Sequence, residues 1–295
     1  MLKHLLGKSS KPKRVVVLGA TGFVAAACCR RLESLGVTVL PLSRTELDLN
    51  TPEAGGHLSE ILKPDDSLLF VAAKAPVKTE SMLIENMQMA VAVCDAIKKS
   101  SVEHLVYISS DALYADSENP LSENSCIQPD SLHGVMHLAR EVMLTNAWQG
   151  PTCFLRPTLI YGVEDPHNGY GPNRFMRLAK TGEDILLFGE GEERRDHVWI
   201  QDVADLTCRV LGHQSTGSLN IATGTVVSFR DIAEKVIQLI PNSSQIKGSV
   251  RSGPMPHNGY RAFDPSATNL AFPDFQYTSL EEGLRKVHLD ETKSS

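Results

Sequence analysis

A β-branched run that ends in glycine and leads into a helical pattern constrains the fold of this chain more than any other feature. Residues 14–20, RVVVLGA, predict a buried parallel strand, because a strand covered on both faces is apolar throughout. Residues 23–36, FVAAACCRRLESLG, have a helical period and end at Gly36, a typical C-cap. The sequence therefore predicts a strand, a tight turn and a helix at the start of a parallel sheet.

The same alternation of strands and helices continues as far as residue 162. Such an alternation predicts an α/β fold with a doubly wound parallel sheet that has helices on both faces. The strands predicted after the first are VTVLPLS, SLLFVAA, HLVYISS and TCFLRPTLIYG, and the helices between the later ones are MLIENMQMAVAVCDAIKKS and SLHGVMHLAREVML.

The second half of the chain has a different texture, with long loops rich in glycine and proline and one clear amphipathic helix, VSFRDIAEKVIQLI. Long irregular loops in a compact domain are usually functional. We therefore predict a flexible basic tail over 1–13, a nucleotide-binding domain over 14–162, a mainly substrate-binding lobe over 163–288 whose chain interleaves with the first domain, and a polar tail over 289–295.

Composition narrows the class of partner. The formal net charge is −6, which argues against nucleic acid as a partner, and no apolar run reaches the ~20 residues of a membrane span. The six cysteines lie mostly in apolar runs without C-x-x-C spacing, as expected of reduced core thiols. A cytoplasmic protein without a structural metal is predicted.

The turn after the first strand, GATGFVA, predicts a dinucleotide site. Gly19 would make the tight turn, and Gly22 would let the backbone approach a pyrophosphate at the positive N-terminus of the helix. Thr21, Phe23 and Val24 would then contact the cofactor. The alternative is an ordinary strand-to-helix turn, in which glycine is also common.

The end of the second strand indicates which dinucleotide is preferred. An acidic residue there would accept the ribose 2′-hydroxyl of NAD, but this chain has Ser43 and Arg44. A guanidinium pairs well with a 2′-phosphate, so NADP is favoured, with NAD possible. Asp48 lies where it could reach the adenine. The alternatives are a solvent-facing arginine and a surface aspartate.

Taken together, these motifs resemble those of the extended short-chain dehydrogenases/reductases, the family of nucleotide-sugar epimerases, dehydratases and reductases. The resemblance covers about residues 13–285 and rests on GATGFVA, Asn86, LVYISSDALY, FLRPTLIYG, RRDHVWIQDVAD and LNIATGTVVSFRDIAE. It implies a Rossmann fold with a smaller C-terminal substrate lobe, a nucleotide-diphosphate sugar as substrate, and a homodimer formed through helices beside the sheet. LSRTELDL followed by ILKPDDSLLFVAA is most similar to the sugar-nucleotide reductase branch.

The resemblance also implies roles for single residues. Ser110 matches the family's catalytic serine or threonine, which would hydrogen-bond the reacting sugar oxygen; its alternative role is a cap at a strand end. Ala72 and Asn86 match cofactor contacts. Asp111 is implied to contact the substrate; it is followed by Ala112, where dehydratases carry glutamate, which disfavours dehydration. The substrate contacts implied for the lobe and its loops are Arg174, Arg195 and Arg261, with Arg195 facing the diphosphate.

One segment departs from the family pattern. The family's Tyr-x-x-x-Lys is the acid/base couple, but the aligned residues here read HGVMH, with His133 at the tyrosine and His137 at the lysine. A metal pair is disfavoured, because the H-E-x-x-H glutamate and a third ligand are missing. Two interpretations remain: loss of the chemistry, or replacement, in which His133 exchanges the proton and His137 binds the nicotinamide ribose.

The sequence therefore predicts an NAD(P)-dependent oxidoreductase or epimerase that changes a carbonyl and a hydroxyl on a nucleotide-diphosphate sugar. Two alternatives stay open: an NADP-binding sensor or partner protein without turnover, and a non-redox enzyme on the same scaffold.

Overall fold

Parallel strands form the centre of the computed structural model, which describes residues 2–241 and 244–293. Within this part of the chain the strands are β1 (Arg14–Leu18), β2 (Val39–Leu42), β3 (Asp66–Phe70), β4 (His104–Ile108), β5 (Thr152–Pro157), β6 (Leu159–Tyr161), β7 (Ile185–Phe188), β8 (Arg194–Trp199), β9 (Gly217–Ile221), β10 (Val226–Ser228), β11 (Ile246–Ser249) and β12 (Tyr260–Arg261).

The α-helices of the same residues alternate with these strands. They are α1 (Phe23–Ser34), α2 (Ala54–Ile61), α3 (Glu80–Lys99), α4 (Leu132–Ala147), α5 (Pro172–Thr181), α6 (Ile200–Gly212), α7 (Phe229–Leu239), α8 (Ser266–Ala271) and α9 (Leu280–Lys293).

The main sheet has the strand order β2-β1-β3-β4-β5-β9, and all of its neighbouring strands are parallel. Helices α1 and α6 pack together on one face of the sheet, and α2, α3 and α4 cover the other face. Each face has its own apolar core between the helices and the strands. This confirms the predicted doubly wound α/β fold. The order reverses between β1 and β3, where such sheets bind ligands beyond the carboxyl ends of the strands.

The lobe is built around β8, which pairs with β6, β10 and β12, and it has a third apolar core of its own. The chain returns from the lobe through α6 to β9, which adds a sixth strand to the main sheet. Residue 162 is therefore not a boundary between the nucleotide-binding domain and the lobe, because the chain passes back from the lobe into the main sheet.

The predicted strand TCFLRPTLIYG is divided into two strands. Its first part, β5, ends at Pro157, which has no N–H to donate to a neighbouring strand. Thr158 still donates its N–H to Ile221 O, but β6 then leaves the main sheet and pairs with β8 of the lobe. Residues 152–161 therefore connect the main sheet, through β5, to the lobe, through β6.

The two ends of the chain differ from the tails predicted for them. Lys3 exchanges backbone hydrogen bonds with Thr216, and His4 bonds Ser215 Oγ and Ala271 O, so the N-terminal segment lies against the fold. The predicted polar tail, 289–295, is helical as far as residue 293, and 294–295 lie outside the described residues. No helix in the described part of the chain is long and apolar enough to span a membrane.

A buried ion pair connects α4 to the main sheet. The Arg156 guanidinium donates to Glu141 at 3.0 and 2.6 Å, and both side chains are almost fully buried. Ser109, at the end of β4, donates to the same carboxylate, and Tyr114 accepts from Arg156. The pair thus holds α4 and the end of β4 in one position.

We expect Arg156→Leu to lower the free energy of unfolding by about 3–5 kcal/mol, because Glu141 would keep a buried charge without its cationic partner. The measurement is urea denaturation followed by circular dichroism. Arg30→Ala, which breaks the exposed Arg30–Glu164 pair, is the control and should cost less than about 1 kcal/mol. Equal, small losses in the two variants would contradict a structural role for the buried pair.

Candidate functional site

A cavity of about 740 Å³ opens at the carboxyl ends of β1 to β5. The turns that follow these strands form its walls, together with one face of α4. The residues predicted from the sequence that line it are Gly19, Thr21, Gly22, Phe23, Val24, Ser43, Arg44, Asp48, Ala72, Ser110, Asp111, His133, His137 and Arg195. The fold therefore brings most of the predicted site residues to one surface.

The glycine turn has the geometry that a diphosphate requires. Gly19 has φ +84°, and a Cβ there would lie 2.6 Å from Ala72 Cα, so only glycine fits. Gly22 is the N-cap of α1, and no side chain caps this helix end. The N-terminus of α1 therefore offers N–H groups and the positive end of the helix dipole to the cavity, as an anionic ligand needs.

The far end of the cavity carries opposite charges. Arg44 donates from Nε to Asp48 at 3.0 Å, and its side chain is largely exposed. The Asn50 amide and the Arg44 guanidinium lower the pKa of Asp48. Ser43 donates its N–H to Glu46 at 2.9 Å. Arg44 can thus turn toward a ligand with the loss of one exposed ion pair.

His133 and His137 lie on one face of α4, which Ser131 caps by accepting the Gly134 N–H. Their ring centroids are 4.7 Å apart and the rings are nearly perpendicular. The Val77 amide approaches His133 Nδ1 at 3.5 Å, a long contact that leaves the ring little constrained. Both side chains line the cavity, so this face of α4 forms one of its walls.

Burial controls the charge of both histidines. Desolvation lowers the pKa of His133 below its usual 6.5, although Asp111 opposes this, and Arg140 adds to it. For His137, desolvation, His133 and Arg140 all lower the pKa well below that value. Both imidazoles are consequently neutral near pH 7, and a doubly charged pair does not form.

Ser110 has the capping role that the sequence left open. Its Oγ accepts the Ala112 N–H at 3.1 Å, which starts the short 3-10 helix after β4. The hydroxyl itself donates only to Asp111 Oδ1, over a long 3.5 Å, so Ser110 can redirect this proton to an oxygen in the cavity.

The predicted arginines are placed differently from one another. Arg195 lines the cavity, donates to Glu193 at 3.2 Å, and has a buried Nε without a partner among the described residues. Arg174 is exposed on α5 and lies outside the lining. Arg261 is buried outside the lining, where it bonds Asp111 and Asp116. Arg261 therefore orients Asp111, which does line the cavity.

Asn86 is also absent from the lining. It is fully buried, and its side-chain amide exchanges hydrogen bonds with the backbone of Lys74 and accepts from Arg140 at 2.8 Å. Asn86 thus fixes the segment after β3, which forms a cavity wall.

Several lining residues were missed by the sequence analysis. Lys74 and Glu85 form an ion pair at one wall, and Asp165, His167 and His257 come from the loops after β6 and before β12. The only signal for the loop residues was the glycine- and proline-rich texture of their segments. Among the described residues, no group of three or more His, Cys, Asp or Glu side chains is arranged to hold a metal ion.

Residues 15–222 match the model of the NAD dependent epimerase/dehydratase family. Among curated proteins, dTDP-4-dehydro-6-deoxy-D-allose reductase of Streptomyces bikiniensis is 25% identical over 275 residues, which cover 80% of this chain and 83% of the relative.

The solved structures with the same fold include an epimerase and a synthetase. UDP-glucose 4-epimerase of Thermus thermophilus, in complex with NAD, superposes with a TM-score of 0.83 at 20% identity, covering 96% of this chain and 99% of that one. A GDP-L-fucose synthetase from Naegleria fowleri, bound to NADP, gives 0.80 at 15% identity, covering 99% and 97%.

Proposed function

Because the chain belongs to the NAD-dependent epimerase/dehydratase family, we propose that its cavity binds a nicotinamide dinucleotide and a nucleotide-diphosphate sugar. The reaction is an exchange between a carbonyl and a hydroxyl on the sugar, as a reduction or as the transient oxidation within an epimerisation. The observation that carries this proposal is that the glycine turn, Ser110 and both histidines line one continuous cavity.

The glycine turn and the N-terminus of α1 would hold the diphosphate of the dinucleotide. No side chain caps this helix end, so its backbone N–H groups can donate to the phosphate oxygens. Ala72 would lie beside it, where the chain already approaches Gly19. The nicotinamide then supplies the hydride acceptor or donor. His137 would hydrogen-bond the adjoining ribose as a neutral donor.

His133 would move the proton that accompanies the redox change. A neutral imidazole accepts the proton of the sugar hydroxyl when the hydroxyl is oxidised, and the protonated ring returns it to the carbonyl oxygen in the reverse direction. Ser110 would donate its hydroxyl proton to the same sugar oxygen and hold it beside His133. Arg195, which lines the cavity, would contact the diphosphate of the sugar nucleotide.

NADP is the preferred cofactor in this proposal. Arg44 lines the cavity beside Ser43, and its ion pair with Asp48 is an exposed one that a 2′-phosphate could replace. Arg174 and Arg261 remain predictions as substrate contacts. The cytoplasmic location also remains a prediction; the six free cysteines, five of them buried, are compatible with it.

We expect His133→Gln to lower kcat about 10²–10⁴-fold, because glutamine cannot exchange a proton. NADPH affinity should stay within a few-fold. The assay follows NADPH oxidation with a panel of keto-sugar nucleotides, and Arg285→Ala, at an exposed residue of α9, is the control. Turnover at the wild-type level in His133→Gln would refute the role of His133.

The wild-type protein could instead bind NADPH tightly without turning over or binding any sugar nucleotide. That result would contradict the proposed enzyme and favour the alternative function, an NADP-binding sensor or partner protein. Turnover of a sugar nucleotide without NADPH oxidation or reduction at any step would favour the non-redox enzyme.

The pH profile should follow His133. Its pKa lies below 6.5, so kcat/KM for hydroxyl oxidation should rise with pH through that pKa and stay level above it. For carbonyl reduction, which needs the protonated ring, kcat/KM should fall as pH rises through the same value. His133→Tyr should move both bends upward toward the pKa of a phenol, about 10. A bend unchanged in this variant would assign the titration to another group.

We expect Arg44→Ala to weaken NADPH binding about 10- to 100-fold, as the loss of a charge-assisted contact to a 2′-phosphate. NADH binding should change less than about threefold, because NADH has no such phosphate. Cofactor affinity is measured by fluorescence titration of wild type, Arg44→Ala and Arg285→Ala. Equal losses for both dinucleotides would contradict NADP preference.

A homodimer through α3 and α4 is supported by exposed apolar side chains seven residues apart on each helix. These are Ile84 and Val91 on α3, and Val135 and Val142 on α4, each between 39% and 58% exposed. Val142→Glu should weaken the dimer at least about tenfold in sedimentation velocity, because a charge would be buried. Leu270→Glu, at an 81% exposed residue of α8, should leave it unchanged. A monomeric wild type would contradict the dimer.

A further inference from the structure

Tyr107 lies near the carboxyl end of β4, is fully buried, and has its hydroxyl 2.7 Å from His137 Nδ1. The residue is thirty positions before His137 and belongs to a different element. Within the described part of the chain, this is the one hydrogen bond to a ring nitrogen of His137. It therefore decides where the ring carries its proton.

The direction of the bond follows from the other neighbours of the Tyr107 hydroxyl. Met136 Sδ, at 3.9 Å, is a weak acceptor. Arg140, whose Cζ is 6.0 Å from the centre of the Tyr107 ring, has only donors and cannot take the proton. Burial raises the pKa of Tyr107 to about 12, so the phenol keeps its proton. Tyr107 consequently donates O–H to His137 Nδ1.

A proton on Nδ1 would remove this acceptor. A proton on both nitrogens would make His137 a cation near the Arg140 guanidinium and His133, in a position where the side chain is only 5% exposed. Burial therefore opposes the doubly protonated ring, and the loss of the acceptor opposes the neutral Nδ1–H tautomer. The single proton of the neutral ring is thus on Nε2, which can donate it to a ligand in the cavity.

Resting on the proposed function, we propose that Tyr107 is a positioning residue that fixes His137 as the Nε2–H tautomer. His137 is then a permanent hydrogen-bond donor to a ribose hydroxyl of the dinucleotide. A lysine would perform this task with three rotating donors and a charge, whereas a histidine does it with one donor whose direction a second residue sets. The buried phenol is what makes the histidine a fixed donor.

The test is the tautomer itself, read from the 15N shifts of the imidazole nitrogens in protein labelled at histidine. His137 is assigned by the signals lost in His137→Gln. In the wild type we expect an unprotonated Nδ1 and a protonated Nε2. In Tyr107→Phe, which keeps the ring and removes the hydroxyl, we expect a mixture of the two tautomers and NADPH binding weakened about tenfold.

Tyr114→Phe is the matched control, since it removes a buried hydroxyl that bonds Arg156 and Asn220 and does not contact His137. Its His137 tautomer should equal that of the wild type. A wild-type His137 with the proton on Nδ1, or a tautomer unchanged in Tyr107→Phe, would overturn the proposal. The wild-type spectrum decides this even if a variant fails to fold. Absence of turnover on every sugar nucleotide would count against the proposed function alone, because the tautomer is measured without substrate.

Discussion

The Arg140 guanidinium has no exposed surface, and a cation removed from water must be hydrogen-bonded on all sides. It donates to Ala72 O at 2.8 Å and to Asn86 O and Oδ1 at 2.8 Å, and it stacks over Phe70 with Cζ 4.8 Å from the ring centre. These partners belong to β3, the segment after it, and α3. One side chain of α4 therefore fixes the three elements that form the wall around the histidines.

A second buried guanidinium, Arg156, fixes α4 from the other side through Glu141. Since Ser109 shares the same carboxylate, the serine next to it, Ser110, is placed relative to α4 as well. The site thus depends on two buried cations, each fully occupied by the protein. Neither is available to a ligand, and their contribution is position and electric field.

That field favours neutral histidines in this wall, at the two positions that the sequence resemblance aligns with the tyrosine and lysine of the family. A lysine ammonium next to Arg140 would bring a second cation into a buried wall, at a considerable desolvation cost. Neutral imidazoles avoid this cost, and the lowered pKa values of His133 and His137 follow from the same burial and charge. In the proposed function, a histidine also needs no lysine to bring its pKa near neutrality.

The sequence predicted those structural features that depend on the residues of a single strand, turn or helix. The apolar run before Gly19, the glycine turn, and the spacing of His133 and His137 on one helix face follow from periodicity and backbone preference. Helix α2 could not be read in this way, because two adjacent glycines, Gly55 and Gly56, disfavour a helix. A Cβ at Gly55 would come within 3.0 Å of Asp95, so close packing on α3 decides that helix.

The sequence by itself determined the alternation of strands and helices, the glycine turn and the histidine pair, because each depends on neighbours a few residues apart. Only the tertiary structure decided that Tyr107 bonds His137, that Arg261 is occupied by Asp111 and Asp116, and that β6 leaves the sheet for the lobe. Such contacts join residues that are far apart in the chain. Their hydrogen-bond partners and charges are set by packing, which no local pattern records.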